Sequence, residues 1–302
     1  MDHVMPASNR RTRRDLRRSF TGEDKIAAER GLGRACLGLD RCSLGQRRLR
    51  ALLALHLFNR YESMPDHVDV YSAHAFLSYT MIASPEYDRM VFIVPSAVRN
   101  AFGRLIGHPR DLQLGMPGLR LVAGDWSNTF HAIHLPTDAR AVFAARSDFE
   151  PLSAVSRSSG NLTERQTGSF PFADVPLSAE EQNSLDRIPP MTAEIETLLA
   201  ALVVRISARD PHQTWDIGNW WGAPLRRPRR GGGWKSQERF LWGAGERWTL
   251  RWNEDPYPED LVASLTTPEI GVDGTSSEKT ESGWAVKLGR SELSLDYTGP
   301  DA

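Results

Sequence analysis

Two histidines spaced three positions apart, with an aspartate upstream, come closest to a catalytic or metal-binding pattern. His131, His134 and Asp125 carry the imidazole and carboxylate groups that bind transition metals. Residues 129–135 have the composition of a β-strand, however, and positions i and i+3 of a strand point to opposite faces of the sheet. Both imidazoles cannot easily reach one ion. We therefore expect structural histidines, no metal and no cofactor.

Glycines and serines do not supply another catalytic motif. Gly31, Gly33 and Gly38 loosely resemble a phosphate-binding loop, but their spacing matches neither the dinucleotide fingerprint nor the Walker motif, and no predicted strand precedes them. No serine lies in a Gly-x-Ser-x-Gly motif. The sequence therefore predicts a protein that is not an enzyme, and an enzyme that uses Asp125, His131 and His134 is the alternative.

Arginine is distributed in a way that suggests an anionic partner. The net charge is −1, so any attraction to nucleic acid must be local. Guanidinium groups beside aromatic rings suit phosphate contact combined with base stacking. RNA binding is therefore one functional hypothesis, and a solvated basic loop is the structural alternative. The clusters are the six arginines from Arg10 to Arg18, and Arg226, Arg227, Arg229 and Arg230 between Trp221 and Trp234.

Tryptophan stands beside glycine more often than composition predicts. A tryptophan flanked by glycine on a mobile loop can insert its indole into the pocket of a partner. The alternative is ordinary packing of tryptophan in a β-rich domain. The pairs are Trp221-Gly222, Gly233-Trp234, Trp242-Gly243 and Gly283-Trp284.

A proline near the start of a predicted helix marks a third candidate binding segment. Ser63 can cap this helix, and Pro65 is tolerated in the first turn because its missing N–H would be unpaired there. Met64 and Val68 then lie on its apolar face. The residue before Pro85 avoids the helical region, so the helix is expected to end there.

This segment resembles a degenerate F-box opening, in which Leu-Pro-x-x-Leu or Ile is followed by a second proline. Here Met64 and Val68 stand at the two apolar positions, and Pro85 lies farther along than usual. The Trp–Gly pairs resemble hooks that hold Argonaute. Together they resemble the RNA-silencing suppressors of poleroviruses and enamoviruses. The resemblance implies that Met64, Pro65, Val68 and Pro85 contact the adaptor subunit of a ubiquitin ligase, and that Trp221, Gly222, Trp234, Trp242, Gly243 and Trp284 contact Argonaute, which is directed to degradation.

Periodicity predicts an α+β fold, with a helical N-terminal half that includes a few strands and a tryptophan-rich, β-containing C-terminal part. Predicted helices are Leu44–Tyr61, a helix that begins at Ser63–Asp66 and ends at Ser84, Pro95–Ile106, a short one opened by the Ser178/Glu181 capping box, and Thr192–Arg209. Predicted strands are Met90–Val94, Leu119–Val122, Thr129–Leu135, Arg247–Trp252, Leu261–Leu265, Trp284–Leu288 and Glu292–Tyr297.

Composition shifts divide the chain into four parts. Residues 1–24 are expected to be a flexible basic arm, and residues 147–177 a linker or long loop. Between them lies an α/β domain, 25–146, that contains the F-box-like segment 63–85, and the C-terminal region is 178–302. The sequence has no apolar run of membrane-spanning length, no signal peptide and only two cysteines, Cys36 and Cys42. We therefore expect reduced, buried thiols and a cytoplasmic location, with nuclear import as the alternative.

Overall fold

The computed structural model describes residues 7–34, 36–59, 76–95, 115–125, 129–146, 172–208, 219–221, 239–253 and 255–299. It confirms the α+β class. The helices are α1 (Ala7–Thr21), α2 (Lys25–Gly31), α3 (Leu44–Leu57), α4 (Ala179–Asp186), α5 (Ala193–Val204) and α6 (Pro258–Thr266), with a further helical turn at 76–79. The strands are β1 (Ile82–Pro85), β2 (Arg89–Pro95), β3 (Leu119–Asp125), β4 (Thr129–His134), β5 (Ala139–Arg146), β6 (Arg239–Ala244), β7 (Arg247–Trp252), β8 (Thr275–Lys279), β9 (Gly283–Leu288) and β10 (Ser291–Tyr297).

The described strands form two five-stranded sheets with the same topology. Sheet 1 has the order β1-β2-β5-β4-β3, and sheet 2 has the order β6-β7-β10-β9-β8. Strands β2 and β5 of sheet 1 pair in parallel, as do β7 and β10 of sheet 2. All other neighbouring strands are antiparallel. A long helix precedes each sheet, α3 in the first half and α5 in the second. The described chain therefore contains a structural duplication that the sequence analysis did not detect.

The N-terminus of each long helix contacts the same part of its sheet. Ser43 caps α3, and its N–H donates to the carbonyl of Tyr87 in the β1–β2 turn (2.9 Å). Thr192 caps α5, and its N–H donates to the carbonyl of Gly245 in the β6–β7 turn (3.4 Å). The Thr192 hydroxyl also meets that of Ser291 at the start of β10 (2.6 Å). Equivalent contacts thus fix each helix on its own sheet.

The two halves share one hydrophobic core. Helices α3 and α5 pack against each other, and the buried cluster around them includes inward-facing residues of both sheets. The apolar stripe predicted for α5 is buried as expected, from Ile195 and Leu199 to Ile206. The capping box is also confirmed, since Ser178 and Glu181 bond reciprocally at the start of α4. The core therefore joins residues from the two units that the sequence analysis separated.

Three local predictions are wrong. Within the predicted flexible arm, 1–24, residues 7–21 form helix α1, and the buried partners of Arg17 hold this helix on the protein. The helix predicted up to residue 84 ends at residue 79, and Ile82–Pro85 is a strand that pairs with β2. Leu261–Leu265 lies in α6, which begins with Pro258 and has Glu259 and Asp260 in its first turn. The predicted helix Pro95–Ile106 and most of the predicted linker lie outside the described residues.

Candidate nucleic-acid interface

A buried ion pair fixes the α1–α2 hairpin to sheet 1. Arg17 and Glu23 have side chains that are each 1% exposed, and they meet through hydrogen bonds of 2.6 and 2.8 Å. The other N–H groups of Arg17 donate to the carbonyl oxygens of Gly31 (3.0 Å), Leu37 (2.8 Å) and Pro85 (3.2 Å). All five donors of the guanidinium are used. One side chain therefore joins α1, the segment after α2 and strand β1.

The hairpin held in this way is strongly basic. Residues 7–34 contain nine Arg and Lys against four Asp and Glu, a net charge of +5, while the whole chain has −1. Glu29 offsets part of this charge through Arg10 (2.5 Å), and Asp15 does so through Arg14 (3.2 Å). Arg11 is exposed and has no carboxylate partner among the described residues. A positive surface remains along α1.

Beside the hairpin lies a cavity of about 970 Å³, which is near the upper limit for small-molecule sites. Its walls are α2, residues 31–33 and 38, and the β1–β2 turn at 86–88. In sheet 2 the corresponding turn makes a second bond to the segment before its helix, because Gly245 also donates to the carbonyl of Pro190 (2.7 Å). The cavity lies in the first half of the duplicated fold.

The cavity is lined by both cationic and aromatic side chains. Arg30 and Arg41 are exposed, and neither has a carboxylate partner among the described residues. The guanidinium carbon of Arg41 lies 5.9 Å from the ring centroid of Tyr87. Tyr87 is 59% exposed and Ile26 is 63% exposed, so apolar surface is available beside the charges. The exposed Asp88 also lines the cavity, together with the carboxylates of Glu23, Asp24 and Glu86. This combination suits a ligand that carries both an anionic group and a flat ring.

The glycines discounted in the sequence form part of this wall. Gly38 has a φ of +69°, and a Cβ at this position would lie 2.2 Å from the carbonyl oxygen of Gly31. Gly33 donates to the carbonyl of Cys36 (3.1 Å), which closes the tight loop. Position 38 therefore requires glycine, because the backbone there has a positive φ and lies against Gly31.

His131 and His134 lie on opposite faces of a strand, as expected. His134 is buried, and its ring nitrogens lie 2.9 Å from the Thr137 hydroxyl and 3.1 Å from the Pro117 carbonyl oxygen. Burial lowers the pKa of His134 to about 4, so the ring is neutral at pH 7. His131 lies on the opposite face of β4. No group of three or more potential ligands that could hold a metal occurs in the described part of the chain.

Cys42 shows no sign of being an activated nucleophile. Burial raises the pKa of the Cys42 thiol, and the nearby Arg50 offsets this effect only in part. Cys42 is therefore protonated at neutral pH. Cys36 and Cys42 are free thiols, but Cys36 is exposed and Cys42 is half-buried, so the burial expected of both is not found.

The tryptophans predicted to contact Argonaute lie in different environments. Trp221 is 1% exposed and packs edge-on against Phe58 (4.7 Å between centroids), so the prediction that it is a hook is wrong. Trp284 faces the core. Trp242 is 44% exposed, with the Arg251 guanidinium 5.2 Å from its ring centroid. A Cβ on Gly243 would lie 2.3 Å from a backbone oxygen, which explains this glycine without a partner. Gly222 and Trp234 lie outside the described residues.

Most of the other candidate residues also lie outside the described residues: Met64, Pro65, Val68, Arg226, Arg227, Arg229 and Arg230. Pro85 is described, and it ends a buried strand in which its carbonyl oxygen accepts from Arg17. The structure therefore gives Pro85 a role in attaching α1.

No family model, curated protein or solved structure matches this chain. Where the structure describes the chain, it contains no helix with the length and apolar character needed to cross a bilayer.

The sequence analysis identified the arginines of α1 but not the cavity beside them. Arg30, Arg41 and Tyr87 are brought together by the tertiary fold, and none of them belongs to a recognisable motif. The available signal is the basic residue at the end of α2 followed by three glycines, whose irregular spacing fits no known phosphate-binding motif.

Proposed function

We propose that the protein binds single-stranded RNA through the α1–α2 hairpin. The observation that carries the proposal is the net charge of +5 on residues 7–34 in a chain whose overall charge is −1. Exposed Arg and Lys side chains supply the sequence-independent part of RNA affinity by contacting phosphates. This is the RNA-binding hypothesis of the sequence analysis, now assigned to a helix instead of a flexible arm.

The rigid attachment of the hairpin supports the proposal. Because Arg17 and Glu23 anchor α1, its exposed arginines are presented from a fixed surface and lose less conformational entropy on binding. The exposed ring of Tyr87 near the same surface favours single-stranded RNA, whose unstacked bases can pack on aromatic side chains. The cluster Arg226–Arg230 stays a candidate second contact.

The F-box-like adaptor hypothesis, with a ubiquitin-ligase subunit and Argonaute as partners, stays a prediction. Trp242 is its exposed Argonaute-contact candidate among the described residues. RNA binding is preferred because the residues that would carry it form a coherent basic surface.

The test is a titration of a labelled single-stranded RNA over a range of salt concentrations. Replacing Arg10, Arg11 and Arg14 with alanine should weaken binding and reduce the slope of log K against log salt by up to about 2, since each lost phosphate contact removes about 0.7. A matched control replaces Arg187, Arg247 and Arg290, which are exposed residues far from α1 in sequence. The control should bind RNA like the intact protein.

Two results would contradict the proposal. One is an intact protein that fails to bind RNA at low salt. The other is an equal loss of affinity in the α1 variant and the control variant, because the effect would then depend on total charge and not on the α1 surface.

A further inference from the structure

The cavity beside α2 is better suited to one nucleotide than to a continuous stretch of backbone. We infer that it binds a single nucleotide of the RNA, with the base against Tyr87 and the phosphate against arginine. This inference rests on the proposed function and assigns the ligand of one pocket within it.

The volume and the composition of the walls both support this assignment. A cavity of about 970 Å³ is large enough for a nucleotide together with bound water. A site that only neutralised phosphates would need neither an exposed aromatic ring nor an exposed isoleucine. Tyr87 and Ile26 are among the few large apolar side chains that are exposed in the described residues, and both line this cavity.

Two arginine side chains of the cavity are placed to contact the phosphate of the nucleotide. Arg30 and Arg41 line the same cavity and are free of carboxylate partners among the described residues, so binding an anion breaks no ion pair. By contrast, Arg89 already bonds Glu86 (2.5 Å), and all five N–H groups of Arg17 are used by Glu23 and by three carbonyl oxygens. Arg30 and Arg41 are therefore the phosphate contacts we assign.

The Arg41–Tyr87 pair provides a place for the base. The guanidinium and the phenol ring are 5.9 Å apart, and both side chains are exposed and able to separate slightly. A base can stack on the ring face of Tyr87, and the guanidinium plane can cover its other side. Asp88 can accept a hydrogen bond from a base amino group or a ribose hydroxyl.

The backbone around this site is fixed, so side-chain changes can be made without moving it. The carbonyl oxygen of Tyr87 accepts from the N–H of Ser43, and that of Asp88 accepts from the Gln46 side chain (3.0 Å). Neither bond involves the Tyr87 ring. Tyr87→Ala should therefore leave the thermal unfolding midpoint nearly unchanged.

The experiment uses the full chain and calorimetric titration with nucleoside monophosphates, and with adenosine and inorganic phosphate as partial ligands. We expect AMP to bind more tightly than either part alone, because both subsites contribute. Tyr87→Ala should weaken AMP binding about ten-fold, which is within the range for loss of one stacked base. Tyr87→Phe keeps the ring and should retain binding, and Tyr257→Ala, at a tyrosine that is 46% exposed in the other half, should have no effect.

RNA titrations separate the failure of this inference from failure of the proposed function. Tyr87→Ala should weaken RNA binding but keep the salt slope of the intact protein, since it removes no phosphate contact. If RNA binds with the full salt slope and Tyr87→Ala has no effect, the cavity inference is refuted and RNA binding by α1 stands. If AMP binding depends on Tyr87 while RNA does not bind, RNA binding is refuted. If no nucleoside monophosphate binds to the intact protein, the cavity inference is refuted.

Discussion

Replacing Arg17 with alanine should separate the α1–α2 hairpin from the rest of the protein. The side chain is 1% exposed, and its five N–H groups all donate to protein oxygens. The substitution leaves the carboxylate of Glu23 buried without its cation. It also removes the donor to the carbonyl oxygens of Gly31, Leu37 and Pro85.

The expected cost follows from the burial of this pair. Removing one member of a buried ion pair costs about 3–5 kcal/mol, because the remaining charge stays in a poorly solvated site. Thr21 still donates to Glu23 at 3.0 Å, which keeps the loss within this range. Because native proteins are stabilised by only about 5–15 kcal/mol, the change is large. Arg17→Lys keeps the charge but cannot reproduce the planar five-donor geometry, so its cost should be intermediate.

The free energy of unfolding is measured by urea denaturation, and limited trypsin digestion reports on release of α1. Arg14→Ala is the matched control, because Arg14 lies on the same helix and its ion pairs are with the partly exposed Asp15 and Glu29. It should cost less than about 1 kcal/mol. If Arg17→Ala is no more destabilising than Arg14→Ala, or if trypsin cleaves α1 equally slowly in both, the buried anchor is not what holds the hairpin.

Two predictions concern the dependence of stability on pH. Burial alone would raise the pKa of Glu181, but hydrogen bonds from Arg120 and from the N–H groups of Ser178 and Gly118 outweigh burial and lower it to about 2. This stabilisation is complete above about pH 4.5 and is lost as the pH falls through about 2. Glu181→Gln should therefore be less stable at pH 7, and its urea midpoint should change less with pH over that interval. For His134 the unfolded state takes up a proton near pH 6.5 and the folded state only near pH 4, so stability should fall as the pH decreases across this range. His134→Gln should reduce that slope, and an unchanged slope would show that His134 is not buried as a neutral ring.

Local sequence patterns predicted much of the secondary structure. The stripe from Ile195 to Ile206, the capping box at Ser178 and the runs Met90–Val94 and Arg247–Trp252 each depend on residues within a few positions of one another. Helix α6 was mistaken for a strand because its short apolar run fits either period, and Pro258 at its start was not recognised as a helix signal.

The candidate site depends on contacts that are distant in the sequence. Arg17 bonds to Pro85, 68 positions away, and Tyr87 is fixed by Ser43. Local spacing carries no information about such partners, so the arginines of α1 suggested a flexible arm when considered alone. The duplicated sheet topology was missed for the same reason, because it is a pattern of strand pairing and not of residue types.

The sequence by itself determined the α+β class, helices α3, α4 and α5, and the separation of His131 and His134, since each follows from backbone periodicity and side-chain type. The tertiary structure decided which arginines are structural and which are available to a ligand. Arg17 forms a buried ion pair with Glu23, whereas Arg30 and Arg41 are exposed in the cavity that Tyr87 also lines. The physical reason is that the function of a charged side chain depends on its solvation and its partner, and both are set by the packing of α1, α2 and the β1–β2 turn.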